Sequence, residues 1–179
     1  MKKTVAILLT LLMLAALLAA CAKNEQPAGT QAPETKAPET EAVPEGVYVA
    51  FNGVNLVPGG PFAELKDKLG AETKPAETID SCDENSDWQQ TSHYYGDVRI
   101  TENKDGMVEG IEVSGSSDAA LNGVIRIGAT ADEVKAVLGE PGTDQPWGLY
   151  YEDLPMVNVF LDEETGKVTG FMVMNSFIM

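Results

Sequence analysis

The chain has 179 residues, 28 of them acidic and 12 basic, with a formal charge of −16 at pH 7 and a pI near 4.2. A surface this acidic repels nucleic acid and anionic lipid headgroups, which excludes a phosphate-backbone reader. Two cysteines and one histidine exclude a CxxC redox or metal framework and a His/Cys zinc site.

The N-terminus reads M-K-K-T-V-A-I-L-L-T-L-L-M-L-A-A-L-L-A-A-C. Lys2 and Lys3 form a positive n-region, and Val5 to Ala20 is an apolar run broken by Thr10. The run is short of the roughly 20 residues that a spanning helix needs, and its flanks are those of a signal peptide. Residues 1–20 are therefore expected to be a signal. Its end, Leu18-Ala19-Ala20-Cys21, resembles the lipobox of bacterial lipoproteins; an ordinary secretory signal with a chance cysteine is the alternative. The resemblance implies a diacylglycerol on the Cys21 thiol, cleavage before it, and two or three fatty chains in a cell membrane, with the protein on the extracytoplasmic face. Each buried methylene contributes about 0.8 kcal/mol, so several chains anchor stably where one does not. Cleavage removes Lys2 and Lys3 and no acid, leaving 10 basic against 28 acidic residues, so lipid rather than charge has to hold the membrane. Cys82 then remains as the lone thiol. A free cysteine is usually a small buried hydrophobe, a reactive or intermolecular thiol being the alternative.

Residues 21–45 carry Pro27, Pro33, Pro38 and Pro44 and the phrase A-P-E-T twice, with Val43 the only large apolar residue. Such a segment cannot bury enough surface to offset its ordering entropy. It reads as an extended tether of up to roughly 70 Å at about 3.1 Å per residue.

Residues 46–179 read as one domain, with 23 acidic against 8 basic side chains. Tyr48 to Leu56 has strand character around the turn signal Asn52-Gly53. Pro61 sits at a first helical position, Phe62, Leu65 and Leu69 share one helix face, and Gly70 ends it. Residues 71–87 are polar and read as irregular. Trp88 to Tyr95 and Val98 to Thr101 read as strands, with a hairpin turn at Asn103 to Gly106 and a return strand at Met107 to Ser114. Val124 to Ile127 reads as a strand. Thr130 and Glu133 are spaced as a capping box, Ala131, Val134, Val137 and Leu138 form the buried helix face, and Gly139 and Pro141 stop the helix. Leu149 to Tyr151, Met156 to Leu161 and Lys167 to Asn175 read as strands.

Two stretches repeat. Glu64-Leu65-Lys66 and Leu69-Gly70 correspond to Glu133-Val134-Lys135 and Leu138-Gly139, and Tyr94-Tyr95 to Tyr150-Tyr151. Gly106, Val108, Gly110, Ile111 and Val113 match Gly166, Val168, Gly170, Phe171 and Val173 at a constant offset of sixty. The expected fold is α+β: two tandem units, about 46–115 and 124–175, each a helix packed on an antiparallel sheet of about three to four strands.

The run I-x-I-G-x-T-x-x-E-V-x-x-x-L-G-x-P, carried by Ile125 to Pro141, resembles the helix signature of the SmpA/OmlA (BamE-like) lipoproteins. Two tandem helix-plus-sheet units resemble the β-lactamase-inhibitor-protein (BLIP-like) fold. The whole arrangement is similar to lipoproteins of Gram-positive bacteria in which a signal and tether precede such a domain. The resemblance covers about 46–175 and implies the fold, a surface location and protein binding. The first copy lacks the Thr and has P-G-G-P for I-G-x-T, and two copies depart from the single BamE unit, so a role in outer-membrane assembly is not carried over.

Asp83-x-Asn85-x-Asp87 has the opening spacing of a calcium loop, but Trp88 stands at its glycine position and Tyr94 at its closing glutamate. A solvated acidic loop is the expectation, an irregular Ca²⁺ site the alternative. A Ser-His-Asp triad needs His93 as base, yet adjacent Ser92 points to the opposite face of a strand. Glu102, Glu109 and Glu112 read as solvated, and no phosphate loop, dinucleotide fingerprint or nucleophile elbow occurs. The expectation is no enzyme, no metal and no cofactor. Trp88, Tyr94, Tyr95, Trp147, Tyr150 and Tyr151 are the candidate partner-binding residues, since exposed aromatics on a sheet anchor protein interfaces. Core aromatics are the competing reading, and Met156, Met172, Met174 and Met179 read as core or tail. The expected function is a lipid-anchored binding module for an envelope or extracellular protein. The alternatives are a ligand- or cation-binding lipoprotein and a structural spacer.

Overall fold

A computed structural model describes residues 44–82, 86–153 and 155–175, all within the unit Glu41–Met179. The signal, Cys21, most of the tether, Asp83, Asn85 and Met179 lie outside the described residues. No described helix is long and apolar enough to cross a membrane.

Strands β1 (Val49–Phe51) and β2 (Val54–Leu56) close a hairpin through Asn52 and Gly53, both at positive φ (50° and 77°) as a twist-matched two-residue turn requires. After α1 (Ala63–Leu69) come β3 (Lys74–Asp80), β4 (Gln89–Tyr95), β5 (Val98–Asn103) and β6 (Val108–Val113). The short β7 (Ala120–Leu121) pairs with β1, giving a three-stranded sheet β2-β1-β7. Then follow α2 (Ala131–Leu138), β8 (Thr143–Gln145), β9 (Gly148–Tyr151), β10 (Met156–Leu161) and β11 (Val168–Met174). The eight remaining strands form one antiparallel sheet in the order β3-β4-β5-β6-β11-β10-β9-β8.

This overturns the expected α+β pair of helix-on-sheet units: the molecule is mostly β. The reason is visible at the centre of the large sheet. Alone, β6 and β11 would each present an unpaired row of backbone groups, a costly edge. They pair with each other instead, Ile111 opposite Val173 and Phe171 opposite Val113. The sixty-residue offset brings Glu112 directly opposite Met172, so the matching stretches are two halves of one sheet. The helices, of seven and eight residues, are too short to act as layers.

The inner face of the large sheet carries Ile100, Ile111, Leu149, Val159 and Phe171, all fully buried. These join one core with Val49, Leu56 and Leu121 of the small sheet and with Phe62, Leu69 and Val134 from the helical segments. Burying each such side chain contributes about 1.5–3 kcal/mol, which offsets the ordering of short strands. Main-chain bonds dock both helices on hairpins: Val108 N–H to Gly60 O at 2.8 Å, and Val168 N–H to Ala129 O at 2.8 Å. In α2 the capping box forms, Glu133 N–H donating to Thr130 Oγ1 and Thr130 N–H to the Glu133 carboxylate. Val137, expected inside, is exposed; Ala131 and Leu138 are half-buried beside the core.

Three further expectations are corrected. Residues 74–80 form a strand although every side chain there is exposed, because β4 supplies the hydrogen bonds. Val124 to Ile127 is a turn with a single bridge, Ile125 to Leu121. Cys82 is exposed, since it lies in the loop after an edge strand and not in the core.

Candidate functional site

Strict alternation sends the other half of each strand to an outer face that no helix or strand among the described residues covers. Cross-strand pairing writes this face as rows. One row runs Lys74, Tyr94, Arg99, Glu112, Met172, Asn158, Tyr150, Thr143 across all eight strands. The next runs Glu77, Ser92, Thr101, Gly110, Met174, Met156. Met156, Met172 and Met174, read as core or tail from sequence, are half-buried on this face.

At the β3–β4 end, the Lys74 ammonium sits 3.5 Å above the centre of the Tyr94 ring. Glu77 accepts from the Tyr94 hydroxyl at 2.8 Å and from Lys74 at 3.2 Å. The Tyr94 bond, then the Lys74 bond, holds the Glu77 carboxyl below its ordinary pKa, and Glu77 in turn raises Lys74. Arg99 and Glu112 pair beside them.

At the β8–β9 end lies an open groove of about 720 Å³. Its apolar walls are Trp147, 49 % exposed, with Tyr150 and Met156. The Tyr150 side chain folds back over Gly148, where a Cβ would come within 3.2 Å of its hydroxyl and ring edge, so it rests against bare backbone. Among the described residues Glu152 is the one charged residue lining the groove, and none of them pairs with it. Among the described residues no lysine or arginine lines it.

The six aromatics singled out from sequence therefore separate. Tyr94, Tyr150 and Trp147 reach the outer face or its rim. Tyr95 points into the core with its hydroxyl buried and unpartnered; burial, then the Glu72 charge, raises its pKa. Tyr151 packs against the core on the inner side and donates to Gly139 O at 3.1 Å, burial raising its pKa. Trp88 is half-buried in the loop before β4, its carbonyl accepting from Ser81 N–H. It does not join the groove. Ile79, 59 % exposed on the outer side of β3, and Phe160, lying over Gly170, belong to the face and were missed. The signal for Phe160 was the period-two pattern of Met156–Leu161, whereas Ile79, in a stretch read as irregular, gave none.

His93 is enclosed under the sheet. Its ring stacks on Phe62 with centroids 4.1 Å apart, Nδ1 lies 3.0 Å from Glu72 and Nε2 2.9 Å from Glu102. Glu102, expected in solvent, is thus a half-buried partner of His93, whereas Glu112 and Glu109 bond to Arg99 and Gln90. Ser92 lies on the opposite face from His93. Among the described residues no group of His, Cys, Asp and Glu side chains could hold a metal ion. The chain matches no protein-family model, no curated protein and no solved structure.

Proposed function

We propose that the protein is a binding module, held to the extracytoplasmic face of a membrane by lipid on Cys21, that receives a partner protein on the outer face of its large sheet. The observation carrying this reading is the uncovered face itself, with Trp147 half exposed at one end and half-buried Met156, Met172, Tyr150 and Tyr94 along it. Aromatic and methionine side chains are the residue types enriched at protein interfaces. A binder is favoured over an enzyme because the buried His93 has both nitrogens engaged by half-buried carboxylates and offers neither to a solvent-borne substrate.

The test is photo-crosslinking on intact cells with a photoreactive residue at position 158. A discrete adduct is expected, and Trp147→Ala or Met172→Lys should remove it while leaving the thermal transition of the purified protein in place. An adduct that survives both substitutions refutes the reading. Replacing Tyr95 or Tyr151 is no test, since both serve the folded interior.

A further inference from the structure

The two ends of the outer face hold related arrangements, and only one of them is complete. At the β3–β4 end an aromatic ring and a carboxylate share an ammonium: Tyr94, Glu77 and Lys74. At the β8–β9 end Tyr150 occupies the matching place in the sheet, and Glu152, two residues on, adds a carboxylate beside the same groove. Register decides what is missing. Lys74 is the residue paired opposite Tyr94, and Thr143 is the residue paired opposite Tyr150. Among the described residues, the cation that the chain supplies to itself at one end is thus absent at the other, where Trp147 adds a second aromatic wall.

Charge points the same way. Residues 46–179 carry 23 acidic against 8 basic side chains, and among the described residues no basic one lines the groove. A cation over an aromatic face beside a carboxylate gains from the ring quadrupole and from direct charge attraction. Resting on the reading of the face as a protein interface, we propose that this groove takes a lysine or arginine side chain from a basic segment of the partner, seated against Trp147 and Tyr150 and paired with Glu152. The other groups in the groove suit such a chain: Met156 contacts its methylenes, and Asn158 is placed to accept from its nitrogens. An anionic or neutral partner segment gains nothing from Glu152.

The experiment uses the full-length protein with Trp88→Phe, so that Trp147 is the one tryptophan reporting, and titrates a capped penta-arginine peptide. A saturable change in Trp147 fluorescence is expected. Glu152→Gln should weaken binding about tenfold, and about 0.5 M salt should weaken it further by shortening the screening length. Thr143→Lys should place an internal ammonium opposite Tyr150, as Lys74 stands opposite Tyr94, and so compete with the peptide. Glu152→Gln, a surface change, keeps the test valid if Thr143→Lys disturbs the edge strand. Equal affinity in wild type, Glu152→Gln and Thr143→Lys overturns the proposal, because overall acidity alone would then account for binding. Arginine amide binding as tightly as the peptide also overturns it, since the groove would then be a small-cation site. Absence of peptide binding, with the cell adduct still lost in Met172→Lys, removes the cationic anchor and leaves the interface reading standing.

Discussion

Removing the His93 ring should weaken the fold through the two carboxylates it leaves behind. The ring bonds Glu72 at 3.0 Å and Glu102 at 2.9 Å and stacks on Phe62. Each bond to a charged partner contributes about 1.5–3 kcal/mol when its loss strands that partner. Glu72 and Glu102 keep 21 % and 24 % side-chain exposure, so water re-solvates them in part and the lower figure applies to each. Losing the ring stack adds about 0.5–1 kcal/mol, while partial collapse of the site returns some of the total. His93→Ala should therefore cost about 3 kcal/mol, a large part of the roughly 5–15 kcal/mol that holds a domain folded. Urea unfolding followed by tryptophan fluorescence measures it; at about 2 kcal/mol per molar the midpoint falls by about 1.5 M. Adding Glu102→Gln to His93→Ala should recover about 1 kcal/mol, because one of two stranded charges is gone. A cost under about 1 kcal/mol for His93→Ala, or a second substitution that only adds to the damage, refutes the account.

Thr130→Ala should cost about 1 kcal/mol in the same assay by opening the α2 cap. Hydrogen bonds from the Thr130 backbone and side chain hold the Glu133 carboxyl below its ordinary 4.5, so its stabilisation is present above that value and lost as pH falls through the lower folded one. The stability gap between wild type and Glu133→Gln should accordingly close on acidification; a gap that widens refutes the assignment. Gly170→Ala should cost about 2 kcal/mol, since its Cβ would lie 2.9 Å from the Val113 carbonyl oxygen, whereas Gly110→Ala should stay within about 0.5 kcal/mol, its nearest neighbours being 3.8 Å away. Thermal unfolding compares them. Cells fed an alkynyl palmitate should label the wild type and not Cys21→Ser, and equal labelling of both removes the anchor from the proposal.

Local chemistry was legible wherever one residue type answers one backbone need. Thr130 with Glu133 announced α2, and Asn52-Gly53 announced the first hairpin, because a cap and a positive-φ turn accept few residues. Strand β3 was hidden, since K-P-A-E-T-I-D has no buried side chain and owes its shape to hydrogen bonds from β4. The matching stretches were seen correctly as sequence, but their spacing alone does not say whether two halves stand apart or share a ladder. That choice is made by the free edges of β6 and β11, a property of the folded backbone. The same gap affected the site. The alternation Tyr94/Tyr95 and Tyr150/Tyr151 was readable, while the seating of Tyr150 back over Gly148 depends on how its side chain turns along its own strand.

An eight-stranded sheet open on one side invites aggregation, and this chain resists it both at its edges and on its open face. Its outer edges are blunted. Edge strand β3 carries Pro75 and a register shift between Lys74 and Glu77, and edge strand β8 is three residues long and followed by Pro146. On the open face, Phe160 and Tyr150 lie down over Gly170 and Gly148, hiding part of their surface against bare backbone, and Lys74 and Arg99 are tied to carboxylates. Each device lowers the apolar area or free charge shown to solvent. Ile79, Trp147 and Glu152 run against all of them: the two apolar side chains are 59 % and 49 % exposed, and the Glu152 carboxylate, in the same groove as Trp147, has no partner among the described residues. A spacer gains nothing from these, and a polar residue at position 147 would keep the Leu161 N–H to Trp147 O bond that secures the turn. On the proposed reading, the exposed indole is the point of the face that a partner would cover.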